Sequence, residues 1–222
     1  MNNDQVTESV LAVAEKLFGH YGIEKTSMDD IAKAAHKSKR SLYNYFTGKE
    51  DIFRKVLIRE IDGIRNSASE ILDKNLRKCP CSLLKAYLLL RPELIRGALA
   101  FCQVLKTKFQ DEMAYQLLNV NEIVQEFNRW EHSLFQRICE FYVRKEFNAY
   151  ESAHFALAYA DMMQMALQGM NYAFFVEDKY EQYKVSYTHL VNVIISSVEN
   201  KLDTKKEKIG VSLLKINRKS KK

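Results

Sequence analysis

Apolar residues fall at positions 6, 10, 13, 14, 17, 18 and 21, and the run stops at Gly22. Steps of three and four predict an amphipathic helix of about four turns, with the glycine closing it. A short second helix is predicted from "TSMDDIAKAA". There Ser27 can cap, Asp29 and Asp30 lie against the positive end of the dipole, and Ile31, Ala34 and Ala35 form the inner side. "SKRSLYNYF" begins a third at Ser38: Leu42 and Phe46, four apart, face inward and leave Lys39, Arg40, Ser41, Tyr43 and Asn44 on the other faces. Thr47 and Glu50 have capping-box spacing, so a fourth helix starts there. It runs through Phe53, Val56, Leu57, Ile61 and Ile64 to about Leu72.

Past that point the pattern predicts helices near 81–91, 93–117, 120–146, 150–175 and 179–202, with "KCPCS" and "RPEL" as breaks and no internal repeat. The chain is all-α on this reading: a three-helix head, a long fourth helix and a carboxy-terminal helical bundle, about nine helices in total. Residues 1–50 form the head, 51–204 the body, and 205–222 a flexible basic tail. Only seven Gly and two Pro occur in 222 residues, too few turns for many short strands.

Composition adds little until charge is placed along the chain. Apolar residues make up 47% and charged residues 28%, the profile of a chain that folds. The net charge of +6 suggests an anionic partner without naming one. Between Ile31 and Lys49, however, Lys33, Lys37, Lys39, Arg40 and Lys49 meet no acid, whereas the first thirty residues hold Lys16 and Lys25 against six acids. Two short helices joined by a tight turn, with cations and small polar residues on the second, make a helix-turn-helix, and the major groove of DNA admits one such helix.

"LFGHYGIEKTSMDDIAKAAHKSKRSLYNYFTGKEDIF" resembles the DNA-binding head of the TetR family of bacterial transcriptional regulators. The resemblance covers residues 6–55 and departs at His36, where the family has Gly in the turn. It implies that Lys39, Arg40 and Ser41 face base edges and that Tyr43, Tyr45 and Lys49 face phosphates. Thr26 and Ser27 would hold a phosphate at the start of the second helix. Arginine pairing with guanine and phenol or serine hydroxyls reaching the backbone suit those roles, and Lys37 adds a further phosphate contact.

For the body the resemblance implies a two-fold homodimer through the last two long helices. Ala156 and Ala160 would permit close approach there, and Tyr187, Leu190, Ile194 and Val198 would supply the stripe. An aromatic lining from Phe101, Phe127 and Trp130, with His132, Met162 and Met165, suits a small apolar or aromatic effector. Gln103, Asp161, Gln164 and Asn171 are further polar anchors. The function so implied is a sequence-specific regulator on double-stranded DNA, a repressor released from a palindromic operator by that effector. The alternative is an effector-independent DNA-organising protein on the same head.

No Ser/His/Asp order, phosphate loop or H-E-x-x-H motif is present, so no enzyme, cofactor or metal is expected. The start of the chain lacks the signature of a secretory leader and no stretch is long and apolar enough for a membrane. A cytoplasmic location with four free thiols (Cys79, Cys81, Cys102, Cys139) is expected.

Overall fold

The computed structural model describes residues 3–74, 80–143 and 149–203. Among them are ten α-helices and no strand. The predicted tail and the side chains of Phe141, Tyr142 and Val198 lie outside the described residues, as does Cys79.

The head is α1 (Asn3–Lys25), α2 (Met28–Ala34) and α3 (Lys39–Leu42). Val10, Ala14 and Phe18 of α1 pack on Ile31, Leu42 and Phe46, all essentially without exposed surface. Gly22 interrupts α1 with φ 80 and ψ 163, a backbone that a side chain resists, and one further turn follows it. On α2 the inner alanines are Ala32 and Ala35; Ala34 faces out, one position from its predicted place.

His36 occupies the position where a glycine is favoured, at φ 52. Its N–H reaches Lys33 O at 3.2 Å and that of Lys37 reaches Ala32 O at 2.9 Å, the paired bonds of a Schellman ending. A left-handed backbone costs a side chain about 1–2 kcal/mol. His36→Gly should therefore raise stability by about 1 kcal/mol, read as a shift of the urea midpoint at unchanged slope.

The long connecting helix α4 (Lys49–Lys74) packs against α1 through Ile52, Phe53, Val56 and Leu57. Its cap differs from the predicted one. Thr47 N–H donates to Asp51 at 3.1 Å, so Asp51 rather than Glu50 closes the first turn, and the helix begins two residues after Thr47. Arg59 ties α4 to α1 through Glu8 and Glu15.

The body holds α5 (Pro80–Gly97), α6 (Leu99–Gln110), α7 (Glu112–Leu117), α8 (Asn121–Val143), α9 (Ala149–Asn171) and α10 (Tyr180–Asp203). A π-helical turn, Tyr172–Val176, extends α9. Two predicted boundaries fail. The single helix at 93–117 is interrupted at Ala98 and Asp111, and α5 continues through Pro92 instead of ending there.

A proline inside a helix lacks the N–H that would reach the carbonyl four residues earlier. That carbonyl, Leu88 O, instead accepts from the hydroxyl of Tyr187 on α10. Tyr187 is 5% exposed, and burial pushes its phenol above the ordinary range. Expected on a dimer stripe, Tyr187 here spends its hydroxyl on the chain's own helix. Tyr187→Phe should leave a buried carbonyl unpaired and lower stability by about 1–3 kcal/mol in urea titration.

Two buried polar clusters cross this body. Arg91 of α5 meets Glu131 of α8, Nε to Oε1 at 2.5 Å and Nη2 to Oε2 at 3.1 Å. Tyr87 donates to the same carboxylate at 2.6 Å, and Arg91 Nη1 donates to Asn171 of α9 at 2.9 Å. Nearer the head, Glu60 of α4 accepts from Ala100 N and Phe101 N at 3.0 and 2.9 Å. It thereby caps α6, whose own cap residue Ala98 supplies no side-chain acceptor.

Candidate nucleic-acid interface

The second and third helices of the head are positioned by capping. At α2, Ser27 accepts from Asp30 N at 3.2 Å while Ser27 N donates to Asp30 Oδ2 at 2.9 Å. The Ser27 hydroxyl also donates to that carboxylate at 2.6 Å, and these bonds hold the Asp30 carboxyl below its ordinary value. At α3, Ser38 accepts from Ser41 N at 3.1 Å. The regular helix is only four residues long, but Phe46 N reaches Leu42 O at 2.9 Å, so helical turns continue to the buried Phe46.

Arg40 and Lys39 project from α3 into solvent with Tyr43, which is 51% exposed; Ser41 is half-buried beside them. Arg40 makes no hydrogen bond or ion pair among the described residues. Lys39 differs, because its ammonium lies 2.8 Å from Asp29 of α2, and that contact raises its pKa. Asp29 thus holds Lys39 against the neighbouring helix and leaves Arg40 the unpaired cation of α3.

Lys37 is half-buried just before α3. Tyr45 is half-buried against the core rather than fully presented, and its carbonyl lies 3.5 Å from Lys55 Nζ. Lys49 Nζ donates to Ile23 O at 3.0 Å, which spends one of its three N–H bonds on fastening α4 to the end of α1.

Two of the predicted phosphate contacts have internal partners instead. Thr26 is 2% exposed and its hydroxyl donates to Gly22 O at 2.7 Å, so its side chain belongs to the kink of α1. Ser27 is exposed but its polar atoms are committed to Asp30. A phosphate at this helix start would meet a carboxylate already there.

The body residues singled out for an effector do not come together around one space. Phe101 and Phe127 are 1% and 0% exposed with ring centroids 5.0 Å apart, and Trp130 lies 5.7 Å from Phe127. They fill core. Met162 and Met165 face outward, 42% and 68% exposed. The polar anchors have internal partners: His132 Nε2 with Asp161 at 2.8 Å, Gln103 with Phe18 O at 2.6 Å, Gln164 with Asn128 O at 3.1 Å, and Asn171 with Arg91.

The dimer residues divide likewise. Ala156 and Ala160 have no exposed surface in the single chain and serve its own packing of α9. Leu190 is 38% exposed and Ile194 half-buried. The sequence pattern does not single out the outward-facing Leu157, Val185 and Val193, and it gives Met165 to an effector lining, since an apolar helix on every side does not announce which face is left over. It also missed Asp29 as the partner of Lys39, a contact between residues ten apart that only the turn geometry creates.

Comparison with known proteins agrees with the head geometry. Residues 10–56 match the family described as "Bacterial regulatory proteins, tetR family". The chain is 30% identical over 67 residues to the uncharacterized HTH-type transcriptional regulator YhgD of Bacillus subtilis and 44% identical over 55 residues to the HTH-type transcriptional repressor ComR of Escherichia coli. These alignments cover 30% and 25% of this chain and span only 35% and 26% of the two relatives. A solved transcriptional regulator from Cytophaga hutchinsonii shares the fold over 86% of this chain and 96% of its own, with a TM-score of 0.66 at 23% identity. Over residues 10–56 the three-helix head of this chain is similar to that of the tetR family of bacterial regulatory proteins.

Proposed function

We propose that the chain is a sequence-specific DNA-binding transcriptional regulator that acts as a homodimer in the cytoplasm. The observation that carries this reading is the exposed, unpaired Arg40 on a capped helix-turn-helix whose other side is fully buried. Residues 1–50 are its DNA-binding unit and 51–204 its dimerisation and sensing body. A two-fold pair sets two α3 helices one DNA turn apart and so reads a pseudo-palindrome. The surface for pairing is the outward apolar side of α9 and α10, from Leu157 and Met165 to Val185, Leu190 and Val193. Tyr159 O–H ties α9 to Ile194 O at 2.6 Å, which keeps those two helices together as one face. Repression relieved by a small effector is the mode we assign, the signal passing through α4.

Arg40→Ala should cost about 1–3 kcal/mol of discrimination at one or two operator positions. Lys49→Ala should weaken every sequence alike and lower the salt slope by about one unit. Both are read by fluorescence anisotropy on selected and scrambled duplexes across salt concentration. Equal losses on all DNA from Arg40→Ala would remove the base-reading role.

A further inference from the structure

A groove runs between α4 and α8, lined by Arg65, Glu126, Arg129, Trp130, Ser133 and Arg137. The α8 residues recur at steps of three and four, so one helical face supplies Glu126, Trp130, Ser133 and two arginines. Three guanidiniums thus share a surface with one carboxylate of the lining. Arg129 and Arg137 are exposed, and eight residues on a helix separate their backbones by about 12 Å, within reach of two long side chains converging over Ser133.

The polar contacts already present leave capacity unused. Arg65 Nη1 lies 3.3 Å from Asp62 and Nη2 3.6 Å from Glu126, while its Nε is buried with no hydrogen-bond partner. Arg137 Nε donates to Ser133 O at 3.3 Å, a local bond within α8. The half-buried Trp130 has the Arg65 guanidinium 5.8 Å from its ring and packs edge-on to Tyr87, which fixes its plane from behind.

We propose that this groove binds a flat organic anion, an aromatic carboxylate being its simplest form. The ring lies against Trp130 and the carboxylate is held by Arg129 and Arg137. Guanidinium forks match a carboxylate with two parallel hydrogen bonds, and an indole beside them favours a planar ligand over a spherical ion. This deepens the sensing role assigned to the body, on which only its consequence for DNA rests. Arg65 belongs to α4, so an occupant of the groove bears directly on the helix that carries the head.

Trp130 is the only tryptophan of the chain, so its fluorescence reports this groove alone. Titrating the intact protein, without DNA, with benzoate, benzamide and inorganic phosphate tests the site. Benzoate should change the emission saturably, benzamide should not, and phosphate should bind more weakly than benzoate. Arg129→Gln with Arg137→Gln, both at exposed positions, should weaken benzoate by at least about tenfold while the thermal midpoint stays near that of the parent. No saturable response to benzoate, an equal response to benzamide, parity with phosphate, or undiminished binding by the double variant would each overturn the assignment. Because DNA is absent from the cell, such a failure is separate from any failure of the regulator reading.

Discussion

Replacing Arg91 by Met should cost about 3–5 kcal/mol, among the largest losses available to a single substitution in this chain. Arg91 and Glu131 are 3% and 1% exposed, so neither charge is hydrated. What compensates is complete pairing: a two-point contact between guanidinium and carboxylate, the Tyr87 hydroxyl on Glu131, and Asn171 on the remaining arginine nitrogen. Removing the cation leaves a carboxylate in the core with only a phenol to face, and burial and that carboxylate already push the Tyr87 phenol well above its usual range. The double change Arg91→Met with Glu131→Leu should recover much of the loss, because an apolar pair of similar volume needs no partner. Urea unfolding followed by circular dichroism measures both. A single-variant loss below about 1 kcal/mol would mean that water reaches the pair.

Glu60 gives the second large effect, and it depends on pH. Burial drives its carboxyl up to about 7 from 4.5, against the lowering effect of the two α6 N–H donors and Arg59 and with the help of Glu15. The folded state therefore binds a proton that the unfolded chain releases between those two values. Stability from this group is complete below about 4.5 and is lost as pH rises through about 7, by on the order of 3 kcal/mol. Subtracting the stability of Glu60→Gln from that of the parent across pH 4–8 isolates this slope, and a flat difference would contradict it. Glu60→Ala at pH 6 should also cost about 2–4 kcal/mol, since Ala100 and Phe101 N–H lose their acceptor in a buried place. That cost falls on the junction of α1, α4 and α6, where Gln103 meets Phe18 O and where a side chain at Gly19 would strike Leu99.

The head was legible because its signals are local. Ser27, Ser38 and the Leu42/Phe46 pair declare their roles within one or two turns, and His36 stood out because its left-handed backbone follows from the turn itself. The body was legible only as a set of helices. Pro92 reads as a break because nothing near it in sequence reveals that Tyr187, ninety-five residues on, satisfies the freed carbonyl. Ala156 and Ala160 suggest a partner because small residues permit close approach to any helix, and both are already buried within the single chain. A faint signal of the buried polar clusters did exist: Glu60 lies within the stripe of Val56, Leu57, Ile61 and Ile64, and Glu131 within that of Phe127, Leu134 and Phe135. A charge at an apolar position requires a partner, but sequence alone does not say which.

Selecting duplexes from a random pool with the purified, intact protein at moderate salt tests the regulator reading most directly. A paired helix-turn-helix predicts enrichment of a pseudo-palindrome with half-sites about one DNA turn apart, bound at least about a thousandfold more tightly than scrambled DNA. Recovery of no common sequence, with equal affinity for every duplex, would contradict it.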